Sequence, residues 1–335
     1  MRPVEAALAA LAALGRAALV AVLLPIAAGC ASDVCLPESA WSLVVLPDTQ
    51  DYARSYPDIF LAQTRWIADQ VECRNIRAVV HVGDIVYDND DAQWEVARRA
   101  FDLLEGRVPY LLVPGNHDYG TGGSADTRDT LLHAYFPPGS GATGLEGGLF
   151  DPERADNGFR IVPTPDGPHL LLGLEFGPRP AVVEWADEVL AAHRELPTIL
   201  VTHAYLYADG TRYDIASRPD QRWSPHHYGL ARLDGGVNDG EALFRALVRR
   251  HDQIDYVFCG HVLDDGVARL TSEQDGGGLV HEVLANYQEP IRPRGGEGYL
   301  RIVTFEEDLA RVETYSPFLD RYLDDEEQAF ALPRP

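Results

Sequence analysis

The chain has 335 residues, of which 46% are hydrophobic, and this is enough to form the core of one large α/β domain or of two smaller ones. A formal net charge of −24 disfavours unaided binding to nucleic acid or to anionic lipid, because the summed field repels phosphate groups. All 28 basic residues are Arg, which excludes a P-loop lysine and any Schiff-base mechanism.

Residues 1–29 have the layout of a secretory signal peptide, with basic residues before an apolar stretch over 17–28. The segment Ile26-Ala27-Ala28-Gly29-Cys30 resembles the lipobox of bacterial lipoproteins, which makes Cys30 the expected lipidation site. We therefore expect an exported protein held in the bacterial cell envelope by a lipid on Cys30. Because Ala27 stands where Leu is usual, a permanent membrane anchor and a soluble periplasmic or secreted protein stay open as alternatives.

Three further cysteines follow the predicted signal peptide, and an exported compartment permits disulfides. Cys35 and Cys73 are the expected pair, because Cys259 lies in a predicted core strand, where a thiol is usually buried and inert. Spacing alone does not fix the connectivity, so this pairing is an expectation.

In chain order, short apolar runs alternate with stretches of helical periodicity, which is the pattern of βα units. The first strands are predicted over 42–46, 78–82, 110–113, 198–201 and 255–259. Helices are predicted over 57–72, 91–104, 181–194 and 241–250. A Gly- and Pro-rich stretch over 119–152, with a short helix at 130–135, is interpreted as a surface excursion near the site that selects the substrate.

Two strand candidates, 159–162 and 169–174, flank a turn signal and predict an antiparallel element in a second sheet. After His261 the pattern becomes all-β, with strands predicted over 267–270, 279–284, 299–305 and 310–315. The predicted fold class is α/β, a four-layer αββα sandwich of two mixed β-sheets flanked by helices.

The predicted domain organisation is simple, because no internal repeat or strong linker interrupts the chain. The signal peptide over 1–29 is followed by a linker over 30–40 and by one catalytic domain over 41–318. The acidic tail over 319–335 is expected to pack weakly.

Five of the predicted strands run into residue types that bind borderline-to-hard divalent metals. The segments that follow these strands are Asp48-Thr49-Gln50, Gly83-Asp84, Gly115-Asn116-His117-Asp118, His203 and Gly260-His261. In an open α/β sheet, ligands collect at the carboxyl ends of the strands. Side chains delivered there by five separate strands predict a shared metal centre.

In this order, the five segments resemble the motifs of the calcineurin-like metallophosphoesterase superfamily, over about residues 43–262. The resemblance implies the metallophosphoesterase fold and a hydrolase acting on phosphoric ester bonds, either a phosphatase or a phosphodiesterase. It also implies two divalent metal ions as cofactors, with Mn, Fe, Zn and Mg all open. Two cations about 3.5–4 Å apart can polarise a phosphoryl oxygen, activate water and neutralise the departing alkoxide.

The resemblance assigns roles to individual residues of this chain. Asp84 matches the aspartate that bridges the two ions, and His117 matches the histidine that protonates the leaving oxygen or stabilises the transition state. The remaining metal ligands are Asn116, His203 and His261 for one ion, and Asp48 with Gln50 for the other.

Two positions depart from the family pattern. Gln50 stands where a histidine is usual, and Leu263 occupies the second His position of the common Gly-His-x-His motif. The resemblance implies that both losses fall on the same metal. An amide oxygen is a weaker donor than imidazole, so the depleted site is expected to favour Mg or Mn, or to fill only with substrate present. Asp264 and Asp265 are candidates to compensate.

The depleted site also leaves a second function open, a catalytically weak or silent phosphoester-binding lipoprotein with one intact metal site. The expected partner in either case is a phosphorylated small molecule or envelope component, and no motif selects among monoesters, diesters, nucleotides and lipid headgroups. Arg54 and Arg128 are candidate phosphate clamps, because a guanidinium binds phosphate with two parallel hydrogen bonds. His226 and His227 are candidates for substrate contact.

Overall fold

The computed structural model describes residues 35–142 and 144–334, and within these ranges it has fourteen β-strands and six α-helices. The strands are β1 (Trp41–Leu46), β2 (Ile76–His81), β3 (Tyr110–Leu112), β4 (Gly147–Leu149), β5 (Gly158–Thr164), β6 (Gly167–Gly173), β7 (Thr198–Val201), β8 (Ile254–Cys259), β9 (Val267–Glu273), β10 (Leu279–Ala285), β11 (Leu300–Phe305), β12 (Leu309–Ser316), β13 (Arg321–Leu323) and β14 (Phe330–Pro333). The helices are α1 (Gln50–Ser55), α2 (Pro57–Gln70), α3 (Asp91–Phe101), α4 (Leu132–Tyr135), α5 (Pro180–Ala192) and α6 (Gly240–Ala246).

The first sheet has the strand order β13-β12-β11-β1-β2-β3, and β14 pairs with β12 beside this path. Strands β1, β2 and β3 run parallel, with helices in the connections between them. The register places Leu46 beside His81 and His81 beside Leu112. The segments that follow these three strands therefore begin side by side at one edge of the sheet.

The second sheet has the order β4-β5-β6-β7-β8-β10-β9. Strands β6, β7, β8 and β10 run parallel, whereas β4, β5 and β9 pair antiparallel with their neighbours. Val201 at the end of β7 lies beside Phe258 near the end of β8. The segments that carry His203 and His261 therefore leave the sheet together.

The two sheets pack face to face. The apolar cluster between them contains Val45 and Val80 from the first sheet and Ile199 and Phe258 from the second. A second cluster joins α2 and α3 to the outer face of the first sheet, and a third joins α5 and α6 to the outer face of the second. The predicted four-layer αββα sandwich is confirmed.

The predicted strands and most predicted helices are present, with ends that differ by a few residues. The helix predicted over 241–250 is interrupted, because α6 ends at Ala246 and a 3-10 turn follows over Val248–Arg250. Helix α1, which begins directly after Thr49, has no counterpart in the sequence prediction. Helix α1 carries Gln50 and Arg54.

The expectation that residues 319–335 pack weakly is wrong for the described part of this segment. Strands β13 and β14 both pair with β12, and Leu332 is buried in the cluster between the sheets. The acidic residues are concentrated at 324–327, between the two strands, where they reach solvent. The high charge of the whole segment thus led to the wrong prediction, because the apolar residues of β14 form a separate strand after the acidic residues.

Cys35 and Cys73 form a disulfide, which confirms the predicted pairing, and Cys259 is a buried free cysteine. The predicted signal peptide, the lipidation site Cys30 and the first part of the linker over 30–40 lie outside the described residues. In the described part of the chain, none of the helices combines the length and the apolar character that crossing a bilayer requires.

Candidate metal centre

Two histidines from the second sheet face each other at the centre of the site. His203 follows β7 and donates its Nδ1–H to the carbonyl of Val82 at 2.8 Å. His261 follows β8 and donates its Nε2–H to the carbonyl of Trp223 at 2.7 Å. These bonds fix the tautomers of the neutral rings, in which the lone pairs lie on Nε2 of His203 and Nδ1 of His261, and the two atoms are 3.1 Å apart.

Two oxygen donors from the first sheet reach the same point. Asp84 Oδ2 and Asn116 Oδ1 each lie 3.2 Å from Nε2 of His203. Single ligand atoms of Asp84, His203 and His261 all lie within 4.8 Å of one another, and all three residues are buried. The structure therefore brings together Asp84, Asn116, His203 and His261, as the sequence predicted.

The charged residues of this group shift one another's pKa values. Burial alone would lower the pKa of His203, but the adjacent Asp84 carboxylate raises it to about 9. Burial would raise the pKa of Asp84, but His203 and His117 hold it below its usual range. Burial lowers the pKa of His261 to about 3, with His203 adding to the effect. In this group, the Asp84 carboxylate lies next to the imidazole nitrogens of two buried histidines.

Glycines make this close approach possible. Gly83 has φ +102, and a Cβ at this position would lie 2.6 Å from Nδ1 of His203. A side chain at Gly115 would collide with the Asp84 carboxylate, and one at Gly260 would collide with Asp48. Each of these three glycines is therefore required because another motif of the site packs directly against it.

Asp118 joins the loops after β2 and β3. Its carboxylate accepts hydrogen bonds from the backbone N–H groups of Ile85, Val86 and Gly115 at 3.1, 2.9 and 2.7 Å. Asp118 stands in the Gly-Asn-His-Asp motif, but sequence reasoning gave it no role. Its role is to hold the segments of Asp84 and Asn116 against each other.

Asp48 lies beside this group and is held by protein donors. Its carboxylate accepts from the backbone N–H of His261, from Nδ2 of Asn286 at 3.0 Å and from Nε2 of Gln288 at 3.3 Å. Burial raises the pKa of Asp48 to about 8. The resemblance links the segment over 285–288 to the Asp-x-Gln pattern but assigns Asn286 and Gln288 no role, and they follow β10, far along the chain from Asp48.

Gln50 is buried, and its Oε1 atom has no hydrogen-bond partner among the described residues. Leu263 lines the same cleft and offers no donor atom. Asp264 and Asp265 are exposed and do not line the cleft, and Asp264 forms an ion pair with Arg222. The two acidic residues therefore do not replace the missing ligands.

His117 projects into the cleft from the loop after β3. Its Nδ1–H donates to the carbonyl of Tyr87 at 2.8 Å, which leaves Nε2 free. Its backbone N–H donates to Asp84 Oδ1 at 2.9 Å. His117 is thus fixed next to the candidate metal ligands, and its Nε2 atom is available to a substrate.

The cleft has a volume of about 190 Å³. Aromatic side chains from two loops form part of its wall, namely Tyr87, Trp223 and Tyr228. Trp223 has φ +61, an unusual value for a bulky residue, while its carbonyl holds His261. The predicted excursion over 119–152 contributes no residue to this lining, and the later loop over 205–238 contributes instead.

Residues 42–265 match the sequence profile of the family described as calcineurin-like phosphoesterase. This match covers well over half of the chain. The chain belongs to the calcineurin-like phosphoesterase family.

Three proteins to which this chain is similar can be compared with it. The Bacillus subtilis protein YvnB, described as uncharacterized, is 32% identical over 292 residues, which is 83% of this chain and 20% of that protein. This chain therefore spans about a fifth of the length of its curated relative. Among solved structures, GAP50, titled the anchor in the inner membrane complex of Plasmodium, has a TM-score of 0.49 at 10% identity and covers 88% of both chains.

A conserved Streptococcus pneumoniae protein, titled a predicted phosphoesterase, has a TM-score of 0.35 at 11% identity, covering 88% of this chain and 98% of that one.

The remaining candidates from the sequence lie outside the cleft, except for Arg54. Arg128 donates to the carbonyls of Phe176 and Gly177 and pairs with Glu175, so its role is structural. His226 lies 3.4 Å from Asp239, and His227 is exposed; neither lines the cleft. Arg54 does line it.

The donor set of this site fits one divalent cation. A carboxylate oxygen, an amide oxygen and two oriented imidazole nitrogens converge from Asp84, Asn116, His203 and His261. Such a mixture of O and N donors suits Zn, Mn or Fe. The roles of these residues, of Asp48 and Gln50 as further ligands, and of His117 in catalysis stay predictions.

Proposed function

We propose that the protein is a metal-dependent phosphoester hydrolase. The observation that carries this proposal is the convergence of Asp84, Asn116, His203 and His261 beside a cleft that His117 enters. Asp84, Asn116, His203 and His261 would hold the cation. When bound, a divalent cation there supplies Lewis acidity, which polarises a phosphoryl oxygen and makes water a better nucleophile.

The protein side chains orient and protonate the substrate. His117 keeps Nδ1 bound to the Tyr87 carbonyl, so Nε2 is the atom that delivers a proton to the departing oxygen. Asp84 fixes the backbone of His117, which couples the position of this acid to the metal-binding carboxylate. The aromatic wall of Tyr87, Trp223 and Tyr228 excludes water from one side of the cleft.

Hydrolysis of bis(4-nitrophenyl) phosphate by the purified protein in Mn²⁺-supplemented buffer tests this proposal. Asp84→Asn is expected to abolish turnover, because the amide removes the charge that holds the cation. Asp88→Asn is a matched control on the same loop, since Asn keeps an acceptor oxygen for Gln93, and Asp88 does not line the cleft. Undiminished turnover in Asp84→Asn would rule the mechanism out.

The second candidate function is a phosphoester-binding protein that does not turn its ligand over. Leu263 and Gln50 favour it, because they replace two histidines that the family resemblance leads us to expect. A panel of monoesters, diesters, nucleotides and lipid headgroups with each of Mn, Mg, Zn and Fe separates the two functions. Binding without turnover on every ester supports this alternative.

We also propose that the protein is exported and anchored in the bacterial envelope through Cys30, with a soluble periplasmic or secreted form as the alternative. The lipobox-like segment and the Cys35–Cys73 disulfide support this, since disulfides form in oxidising compartments. Metabolic labelling of full-length protein with a palmitate analogue is expected to mark the wild type and not Cys30→Ala. Equal labelling of both would contradict the anchor.

A further inference from the structure

The part of the cleft around Asp48 offers few free donors to a second cation. Zn binds about four ligands, and Mg binds about six, of which several are usually water. Leu263 contributes none, and Gln50 offers one amide oxygen. Asp48 supplies the other oxygens there, and three protein N–H groups are already directed at Oδ2, one of them shared with Oδ1.

The donors around Asp48 are fixed by their own hydrogen bonds. Asn286 Oδ1 accepts the backbone N–H of Gln288 at 3.0 Å, so the Asn286 amide must turn its Nδ2 toward Asp48. Gln288 and the backbone of His261 supply the remaining N–H groups. These three donors satisfy part of the hydrogen-bonding capacity of the buried carboxylate.

A guanidinium lies close to this region. Arg54 and Gln50 are four residues apart on α1, which places both on the face of the helix that lines the cleft. Among the described residues that line the cleft, Arg54 is the one Arg or Lys. Its side chain is 38% exposed, so an incoming anion can reach it.

The guanidinium is also held in place. It lies 3.4 Å above the ring of Tyr87, and Nη2 donates to Asp51 at 2.8 Å. The other oxygen of Asp51 accepts a hydrogen bond from the backbone N–H of Glu289. Asp51 is therefore itself held in place and restrains the position of the Arg54 guanidinium. The backbone carbonyl of Tyr87 also accepts the Nδ1–H of His117. Arg54 and the candidate acid His117 therefore both contact Tyr87.

From these contacts we infer that the site binds a single divalent cation, and that Arg54 supplies the second positive charge to the phosphate of the substrate. A planar guanidinium with five N–H donors suits this task, because Asp51 occupies one of them in the described structure and leaves others to bind phosphoryl oxygens. This inference rests on the proposed function, since it concerns phosphate recognition in the same cleft.

Metal stoichiometry tests the first half of the inference. Purified full-length protein is saturated with Mn²⁺, freed of excess metal by gel filtration and analysed for Mn per chain. About one ion per chain is expected, because the donors for a second ion are missing or engaged. Two tightly held ions per chain would overturn the inference.

Phosphate affinity tests the second half, by calorimetry with inorganic phosphate on proteins of equal Mn content. Arg54→Gln is expected to weaken binding about 10- to 100-fold, because it removes a charge-assisted contact. Arg54→Lys keeps the positive charge but lacks the planar guanidinium with its parallel N–H donors. It is expected to retain more phosphate affinity than Arg54→Gln. The control Arg65→Gln, exposed on α2, is expected to bind like the wild type.

The outcomes separate this inference from the proposed function. Wild-type phosphate affinity in Arg54→Gln, or equal loss in Arg54→Lys and Arg54→Gln, overturns the role of the arginine whatever the turnover. One ion per chain and Arg54-dependent phosphate binding without hydrolysis of any ester would remove the proposed function and leave the inference standing.

Discussion

Nδ1 of His261 lies 3.1 Å from Nε2 of His203, and each ring has committed its other nitrogen to a backbone carbonyl. The two facing nitrogens therefore carry the lone pairs, unless His203 is protonated. Lone pairs at this separation repel, and a proton or a cation between them removes the repulsion. The arrangement is thus preorganised for a positive ion.

The first prediction is that Mn²⁺ raises the melting temperature of the wild type by about 5 °C when the metal is present at about 100 times its Kd. His261→Ala is expected to lose this shift, because one of the two imidazole ligands is gone. Differential scanning calorimetry with and without Mn²⁺ measures it. His251→Ala, whose ring bonds Asp187 away from the cleft, is the control and should keep the shift. A full shift in His261→Ala would contradict the assignment.

The second prediction concerns the leaving group. His117→Asn is expected to lower kcat by about 10²- to 10⁴-fold for alkyl phosphodiesters and much less for 4-nitrophenyl esters. Alkoxides need a proton in order to depart, whereas 4-nitrophenolate leaves without one. Steady-state kinetics over a series of leaving groups measures the difference, and Mn content is expected to stay unchanged. His227→Asn, an exposed histidine, serves as control. An equal loss across the series would argue against a general acid.

Much of this site could be predicted from the sequence, because short apolar strands that end in Asp, Asn or His leave few topological choices. Parallel strands bring their carboxyl ends to one edge, so Asp84 and Asn116 had to lie near each other. The same reasoning placed His203 next to His261.

The rest of the site depends on contacts that no local pattern records. Asn286 reaches Asp48 across 238 residues of sequence. Trp223 and Tyr228 sit in a long loop without periodicity, so nothing in the sequence distinguishes them from other loop aromatics. Composition was misleading at the C-terminal end, where charge at 324–327 obscured the pairing of β14.

The third prediction concerns the support of the Asp84 loop. Gly83 donates its N–H to Nδ1 of His81, whose Nε2–H donates to Thr49 Oγ1, and Thr49 donates in turn to the carbonyl of Ile85. Burial lowers the pKa of His81 to about 3, so the ring stays neutral in this chain of bonds. Thr49→Val would leave a buried N–H and a buried carbonyl without partners.

Thr49→Val is therefore expected to lower the free energy of unfolding by about 1–3 kcal/mol, measured by urea denaturation. Thr49→Ser keeps the hydroxyl and is expected to lose less. If Thr49→Val is as stable as the wild type, the hydrogen-bond chain does not contribute to stability.

The fourth prediction is a pH dependence of stability that comes from Asp255 on β8. Burial raises the pKa of this carboxyl from 3.8 to about 7, and Arg334 offsets part of the effect. The folded state therefore binds the proton more tightly than the unfolded state. Asp255 contributes stability at low pH that is lost as the pH rises from about 4 to about 7, because the half-buried carboxylate must then be charged.

Asp255→Asn mimics the protonated form, so it is expected to stabilise the protein at both pH values, and by on the order of 1 kcal/mol more at about pH 8 than at about pH 5, where only part of the penalty has developed. Urea denaturation at both pH values measures the difference between variant and wild type. Asp69→Asn, exposed on α2, is the matched control and should show no such difference between the two pH values. An equal effect of Asp255→Asn at both pH values would mean that the buried carboxylate does not titrate in this window.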